Sequence, residues 1–422
     1  MAITLFPTKT MQAEVILPAS KSISNRALII QALSNGGKIK KESLGTMLQN
    51  ISDCDDTFVM VRALTEMTDT IDIMAAGTAM RFLTAYLSVT PDTHTITGSE
   101  RMCHRPIGIL VDALRQLGAK VEYAGEEGFP PLRITGGKHK GGRLELPGNV
   151  SSQYISALLM IGPVLEEGLS LTLKGDVASR PYIEMTLSIM RNFGAKAEWT
   201  SDHELKVMPS VYQPTPYLIE NDWSASSYWY EMMALTDDKA PSIVLPTLFT
   251  KSLQGDSAIS RIFRPLGIET IFEKDAEGAE CIRLTRSGTP CSRMDYDFLN
   301  QPDLAQTLVV TCAMLGIPFR FTGLQSLKIK ETDRITALRT ELRKLGFDIQ
   351  EQNDSILYWN GERCPSQDNP VIDTYEDHRM AMAFAPCAMK LGSLRINNPE
   401  VVSKSYPTYW EDLEKVGFKI CR

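Results

Sequence analysis

The stretch Val111-Asp-Ala-Leu-Arg-Gln-Leu-Gly-Ala-Lys-Val-Glu-Tyr123 reads as a helix, a stop and a strand. Glycine takes the left-handed conformation that closes a helix without a Cβ penalty, and a basic residue in the last turn complements the helix dipole. The same phrase returns four times: LSIMRNFGAKAEW around Gly194, ISRIFRPLGIETIF around Gly267, LRTELRKLGFDIQ around Gly346 and EDLEKVGFKI around Gly417. Successive stops lie roughly 70–80 residues apart, a long supersecondary repeat.

A second series interleaves with the stops. SKSISNRALIIQAL, AGTAMRFLTAYL, VSSQYISALLMI, DWSASSYWYEMMAL, QPDLAQTLVVTCAML and EDHRMAMAFAPCAM all read as helix starts, anchored at Lys21, Gly77, Ser152, Ser226, Asp303 and His378. The later anchors are about 75 residues apart and the first interval is about 20 shorter. The missing material falls near Thr68–Ile73, where no Leu-Gly stop occurs. The chain therefore reads as six repeats, the first truncated, each of strand, helix, strand, helix, strand, strand. Alternating or β-branched segments at Arg133–Thr135, Leu169–Leu173, Ile243–Leu245 and Ser393–Ile396 supply candidate strands. Such a mixture predicts an α/β (α+β) protein with sheets covered by helices.

Six repeats divide into two domains of three. Pro209, Pro214 and Pro216 interrupt the pattern just before Asp222, and a second crossing is expected near Leu17-Pro18. The expected domains are 18–221 and 1–17 plus 222–422, with a hinge and a ligand cleft where the chain crosses.

Composition narrows the function. The 422 residues are 43% hydrophobic and 23% charged with a net charge of −7, ordinary for a soluble globular protein and unlike a general nucleic-acid binder. The longest near-apolar run, Ile155 to Leu165, is too short to span a bilayer. The first residues lack the basic and apolar regions of a signal peptide, and eight scattered cysteines without a CxxC pair suit a reducing cytoplasm. No pair of histidines has ligand spacing, and the P-loop, GxGxxG, GxSxG and HExxH motifs are absent; Gly136–Gly142 reads as a hairpin turn.

The helix starts carry the chemistry. Lys21, Ser22 and Arg26 mark the first, and Gly77, Thr78 and Arg81 the second, with Arg101 and Arg105 downstream. Ser151, Ser152 and Gln153 mark the third, and Lys330, Arg334, Arg379 and Lys404 follow in the second half. Free N–H groups at helix starts attract anions, and neighbouring Arg and Lys strengthen the attraction for phosphate or carboxylate. A single serine there is more often a cap, and a single cation more often solvated; recurrence across repeats weakens that plainer account. Asp303 and Glu331 stand among these bases and are expected to stay ionised, as a general base or a hydroxyl-binding group. Thr332 or Asp333 would cap the helix that follows, and Asp377-His378-Arg379 adds a histidine near physiological titration.

Seven segments together resemble the 5-enolpyruvylshikimate-3-phosphate synthase family, the 3-phosphoshikimate 1-carboxyvinyltransferases: LPASKSISNRAL, AGTAMRFL, RPIGILVDALRQLGA, GNVSSQYISALLM, SRPYIEMTL, KETDRITALRTELRKLG and YEDHRMAMAFA. The resemblance implies two domains of three βαβαββ repeats, an inside-out α/β barrel of the enolpyruvyl transferase type. It implies transfer of the enolpyruvyl group of phosphoenolpyruvate to the 5-hydroxyl of shikimate 3-phosphate, with release of phosphate and with neither metal nor organic cofactor. It assigns Lys21, Gly77, Arg105, Gln153, Arg334, Arg379 and Lys404 to phosphoenolpyruvate. Lys21, Ser22, Arg26, Ser151, Ser152, Gln153, Ser179, Asp303 and Lys330 fall to shikimate 3-phosphate. Asp303 would engage the attacking hydroxyl, and Glu331 and Lys21 would move protons. A cytoplasmic monomer is expected, with these two small molecules as partners and neither nucleic acid nor membrane.

The sequence departs from the family pattern at Ala75, where Asn is common, at Phe82, where Pro is common, and at Ser326, where Asn is common, besides the shortened first repeat. Two rivals remain in view. A UDP-N-acetylglucosamine enolpyruvyl transferase would share the repeats, but Cys103 lies only two residues before Arg105 in a different context. A non-catalytic phosphometabolite-binding protein would not need Lys21, Asp303, Glu331 and Arg334 together.

Overall fold

All five glycines at the helix stops have positive φ: 103° at Gly118, 87° at Gly194, 83° at Gly267, 89° at Gly346 and 102° at Gly417. They appear in a computed structural model that describes residues 2–422. The chain divides into two compact units, Ala19–Ile219 and Met1–Pro18 with Glu220–Arg422.

The repeat is visible in the sheets. In the unit Ala19–Ile219, one sheet holds Thr70–Asp72, Thr93–Thr97, Lys120–Tyr123 and Leu132–Thr135, and another holds Gly142–Pro147, Leu169–Lys174, Ala197–Ser201 and Glu204–Val207. In both, the spatial order is first, second, fourth, third. The first pair is parallel around a helix, and the last two form an antiparallel hairpin. Parallel neighbours need a crossover, which the helix provides.

The first repeat lacks its hairpin. Leu48–Gln49 pairs in parallel with Tyr217–Leu218, and among the described residues nothing more extends that sheet. The helix Asp55–Glu66 closes on Met67 at φ 46° and the chain passes directly to Thr70–Asp72. The absent third and fourth strands account for the short first interval.

The other unit has three four-stranded sheets of the same order. Met294–Asp297, Phe319–Thr322, Gln350–Gln352 and Ile356–Trp359 make one from a continuous segment. The other two borrow from the N-terminal stretch. Gln12–Glu14 is the first strand beside Ser242–Pro246, and Ala2–Phe6 lies between Leu394–Asn397 and Lys419–Cys421 as the fourth.

The first helix of each repeat is buried nearly all round. Lys21–Ser34, Gly77–Val89 and Ser152–Ile161 pack on one another in one unit; Trp223–Leu235, Ala305–Leu315 and His378–Phe384 do so in the other. The second helices, such as Gly108–Gln116, Arg180–Asn192 and Arg334–Lys344, bury one face only. No helix among the described residues is long and apolar enough to cross a membrane.

Two expectations need correction. Gly136–Gly142 is not a hairpin turn; it carries the chain from one sheet to the next. Two of its glycines serve close packing: a Cβ on Gly136 would stand 1.6 Å from the Thr90 carbonyl oxygen and one on Gly141 2.3 Å from that of Gly168. Asp303 sits in the 3₁₀ turn Pro302–Leu304 that precedes the helix Ala305–Leu315.

Candidate functional site

In the unit that contains Glu220–Arg422, four segments bring their charges together. Asp333 caps the helix Arg334–Lys344, so Arg334 stands at its first position. Asp377 caps His378–Phe384 in the same way, accepting from the Arg379 N–H at 2.9 Å. Local capping thus fixes the two arginines before any ligand is considered.

Arg334 is buried and meets three acids. Its Nε donates to Asp377 Oδ2 at 2.7 Å, Nη1 to Asp303 Oδ1 at 3.1 Å and Nη2 to Glu331 Oε2 at 2.9 Å. Asp303 also receives Arg379 Nη2 at 3.1 Å and Lys330 Nζ at 3.6 Å, and its carbonyl accepts from Arg379 Nη1 at 3.2 Å. Glu331 is shared with Lys404 at 3.1 Å. The whole predicted set of this half, Asp303, Lys330, Glu331, Arg334, Arg379 and Lys404, forms one network.

Burial alone would raise the Asp303 carboxyl, but Arg379, Lys330 and Arg334 together hold it far below the ordinary carboxylate range. Burial likewise works against the charge on Arg334, and Asp377, Glu331 and Asp303 outweigh it. Asp256, buried beside this network and accepting from Ser224 Oγ, is pushed up to about 7 by burial and then by the Asp303 charge. A carboxylate held ionised by its cations and a second acid whose pKa is raised to about 7 are therefore neighbours.

The unit Ala19–Ile219 carries a different arrangement. Lys21, the first residue of its helix, pairs with Asp56 at 3.2 Å. Arg26 is buried and held by neutral groups: Nε donates to Thr186 Oγ1 at 2.7 Å, Nη1 to the Ser22 carbonyl at 2.8 Å and Nη2 to Ser156 Oγ at 3.1 Å. Its guanidinium carbon lies 5.2 Å from the centre of the Phe82 ring, the residue that replaces the common proline. Burial lowers Arg26 to about 10.

Gly77 opens the next helix, and a Cβ there would lie 2.7 Å from Arg105 Nη1 and 3.2 Å from Arg81 Nη1. Among the described residues Arg105 has no ion pair and no side-chain hydrogen bond, so its guanidinium stands over a bare helix start. Gln153 Nε2 donates to Thr78 Oγ1 at 3.0 Å, which puts the starts of two helices side by side. Ser151 caps the helix of Ser152 and Gln153, with its side chain accepting from the Gln153 N–H at 3.3 Å. Ser179, at φ 54° before Arg180–Asn192, leaves its hydroxyl out of capping. Ala75 is exposed and Ser326 half-buried in the turn Gln325–Ile329.

Sequence reading missed Asp56, Asp256, Ser156 and Thr186, and noticed Asp377 only for its histidine neighbour. Thr186 and Ser156 lie on helices remote in sequence from Arg26, so no local pattern marks them. Asp56 follows the signal of an acidic helix start, which was available at Asp55–Asp56.

Known proteins share this fold. The EPSP synthase of Acinetobacter baumannii superposes with a TM-score of 0.78 at 22% identity, each chain covered in full. The enolpyruvyl transferase NikO of Streptomyces tendae gives 0.69 at 14% identity over 100% of this chain and 98% of its own. The fold is thus that of the enolpyruvyl transferases. The family model described as EPSP synthase (3-phosphoshikimate 1-carboxyvinyltransferase) matches residues 6–74 and 65–413. A 3-phosphoshikimate 1-carboxyvinyltransferase of Bacteroides fragilis is 59% identical over 410 residues, 97% of this chain and 96% of that one. One of Vibrio atlanticus is 34% identical over 445 residues, 99% of each. The chain belongs to the EPSP synthase family. The family match breaks into two pieces at residues 65–74, the point where the first repeat lacks its hairpin.

Proposed function

We propose that the chain performs its family's reaction, transfer of the enolpyruvyl group of phosphoenolpyruvate to the 5-hydroxyl of shikimate 3-phosphate, with charge binding and proton transfer divided among the residues just described. The observation that carries the assignment is the Asp303 network, in which one carboxylate is shared by Arg334, Arg379 and Lys330.

In the addition step the methylene carbon of phosphoenolpyruvate gains a proton, and the substrate oxygen bonds to the adjacent carbon as its own proton leaves. Elimination removes a proton from the new methyl group and expels phosphate. Asp303 accepts the hydroxyl proton. Held by three cations it is a weak base, but an incoming phosphate and carboxylate draw on the same Arg334, Arg379 and Lys330. Those anions offset the cations and raise the basicity of Asp303 when substrate is present. Glu331, between Arg334 and Lys404, and Lys21 exchange protons with the carbon. Each positioned acid or base contributes roughly 10²–10⁴-fold.

Phosphoenolpyruvate is assigned to Lys21, Gly77, Arg105, Gln153, Arg334, Arg379 and Lys404. The phosphate ester and hydroxyls of the second substrate fall to Lys21, Ser22, Arg26, Ser151, Ser152, Gln153, Ser179, Asp303 and Lys330. All eight cysteines are unpaired, which supports a cytoplasmic site of action, and a monomer is the simplest assembly. The deciding experiment is phosphate release with shikimate 3-phosphate and, separately, with UDP-N-acetylglucosamine. Release with the first alone is expected. Binding of both substrates without release would make the chain a binding protein. Asp303→Ala and Glu331→Ala should lower kcat by roughly 100-fold or more with smaller changes in KM.

A further inference from the structure

The turn that delivers Asp377 and Arg379 has an unusual backbone. Tyr375 and Glu376 are consecutive non-glycine residues at φ 54° and 55°. Side-chain-bearing residues rarely occupy this region, and they stay there only when surrounding contacts determine them. The contacts are present in the same unit. Tyr375 Oη donates to Glu341 Oε1 at 2.6 Å, and the Asp373 N–H donates to Glu341 Oε2 at 3.1 Å. Lys344 Nζ lies 2.8 Å from both Glu341 and Asp373 and donates to the Val371 carbonyl at 2.9 Å. Asn397 Nδ2 donates to Asp373 Oδ1 at 2.7 Å.

Glu341 is fully buried and lies on the helix that begins with Arg334. Seven residues make about two turns, so the two side chains share a face. Arg334 takes hold of Asp377 at one end of the turn, and Glu341 holds Asp373 and Tyr375 at the other. Burial and the nearby Glu341 charge both raise the Tyr375 hydroxyl, which keeps it protonated as a donor.

We infer that Glu341 and Tyr375 are positioning residues for the reaction: one helix clamps the Thr374–Asp377 turn and so sets Arg379 against Asp303. Neither residue belongs to the Asp303 network, and the inference rests on the assignment of Arg379 to phosphoenolpyruvate. A merely structural bond would affect stability alone. A positioning bond should affect one substrate more than the other.

The test compares Tyr375→Phe, which removes only the hydroxyl, with Glu341→Gln, which retains one acceptor oxygen. For Tyr375→Phe, the expected result is a phosphoenolpyruvate KM raised about five- to tenfold with the shikimate 3-phosphate KM within about twofold. Glu341→Gln should show a smaller shift of the same kind. The core variant Val309→Ala, also in this unit, is the control for lost stability and should leave the KM ratio unchanged. Hydrogen exchange of the unliganded protein supplies a readout that needs no activity: amides of residues 374–379 should exchange faster in Tyr375→Phe than in the wild type. An unchanged KM ratio in an active enzyme, or unchanged exchange in that turn, overturns the clamp. A wild type that releases no phosphate defeats the functional reading instead, and the exchange comparison still decides whether Tyr375 holds the turn.

Discussion

The two units hold the arginines of the site in opposite ways, although Lys21 of the first is paired with Asp56. In Ala19–Ile219, Arg26 is surrounded by hydroxyls and a carbonyl and Arg105 stands over the start of a helix; neither has a carboxylate partner among the described residues. In the other unit every arginine of the site is tied to an acid, with Asp303, Glu331 and Asp377 gathered on Arg334. The first arrangement leaves positive charge for a ligand to neutralise. The second already pairs its cations with acids, and its value lies in carboxylates whose basicity answers to what binds nearby.

Breaking the second arrangement should cost most. Arg334→Met leaves Asp377 and Glu331 without their buried partner, and we expect a loss of about 3–5 kcal/mol in unfolding free energy together with loss of turnover. Urea melts followed by phosphate-release assays would check both. Arg26→Met should behave in the contrary way. Ser156 and Thr186 remain paired with each other at 2.8 Å, so the melting temperature should hold or rise. Affinity for shikimate 3-phosphate should fall roughly 10- to 100-fold, the share of a charge-assisted bond. Calorimetric titration of each variant would read this; a large drop in stability of Arg26→Met would erase the contrast.

Asp256 gives the comparison a pH dependence. Its folded pKa is raised to about 7, so the folded state binds a proton that the unfolded chain releases near pH 4. Stability therefore falls as pH rises between those values and levels off above them. Asp256→Asn should gain on the wild type by about 1–3 kcal/mol more at pH 8 than at pH 4, seen as diverging melting temperatures. The smallest effect should come from Phe82→Leu, which removes the ring facing Arg26. A cation–π contact of about 0.5–2 kcal/mol is at stake, and part of it is recovered by the new side chain. A severalfold loss of shikimate 3-phosphate affinity, without a change in the phosphoenolpyruvate KM, is the expected signature.

Much of this was legible because the signals are local. A helix stop needs a residue tolerant of positive φ, and the five glycines marked every stop they were taken to mark. Caps are equally local, and Asp333 does cap its helix. Partnerships across the fold were not legible. Nothing near Arg26 announces Thr186, 160 residues away, and nothing near Tyr375 announces Glu341. Gly136–Gly142 misled because a glycine run serves close packing as readily as a tight turn, and composition does not separate the two. That residues 1–17 join the part after 222 was expected from the crossing, but the strand partners there were not legible. Gln12–Glu14 and Tyr217–Leu218 are short segments whose partners are chosen by topology rather than by pattern.

The place of Ala2–Phe6 has a consequence for how the chain is made. The ribosome delivers that strand before Ala19–Ile219, yet its neighbours are Leu394–Asn397 and Lys419–Cys421. Domains generally fold as they emerge during synthesis. Ala19–Ile219 is continuous and can complete itself while translation proceeds. The opening strands of the other unit must wait, unpaired, through the synthesis of an entire domain. Exposed apolar strands of this kind are where chaperones are needed: Ile3 and Leu5 point to one face of this strand and Phe6 to the other.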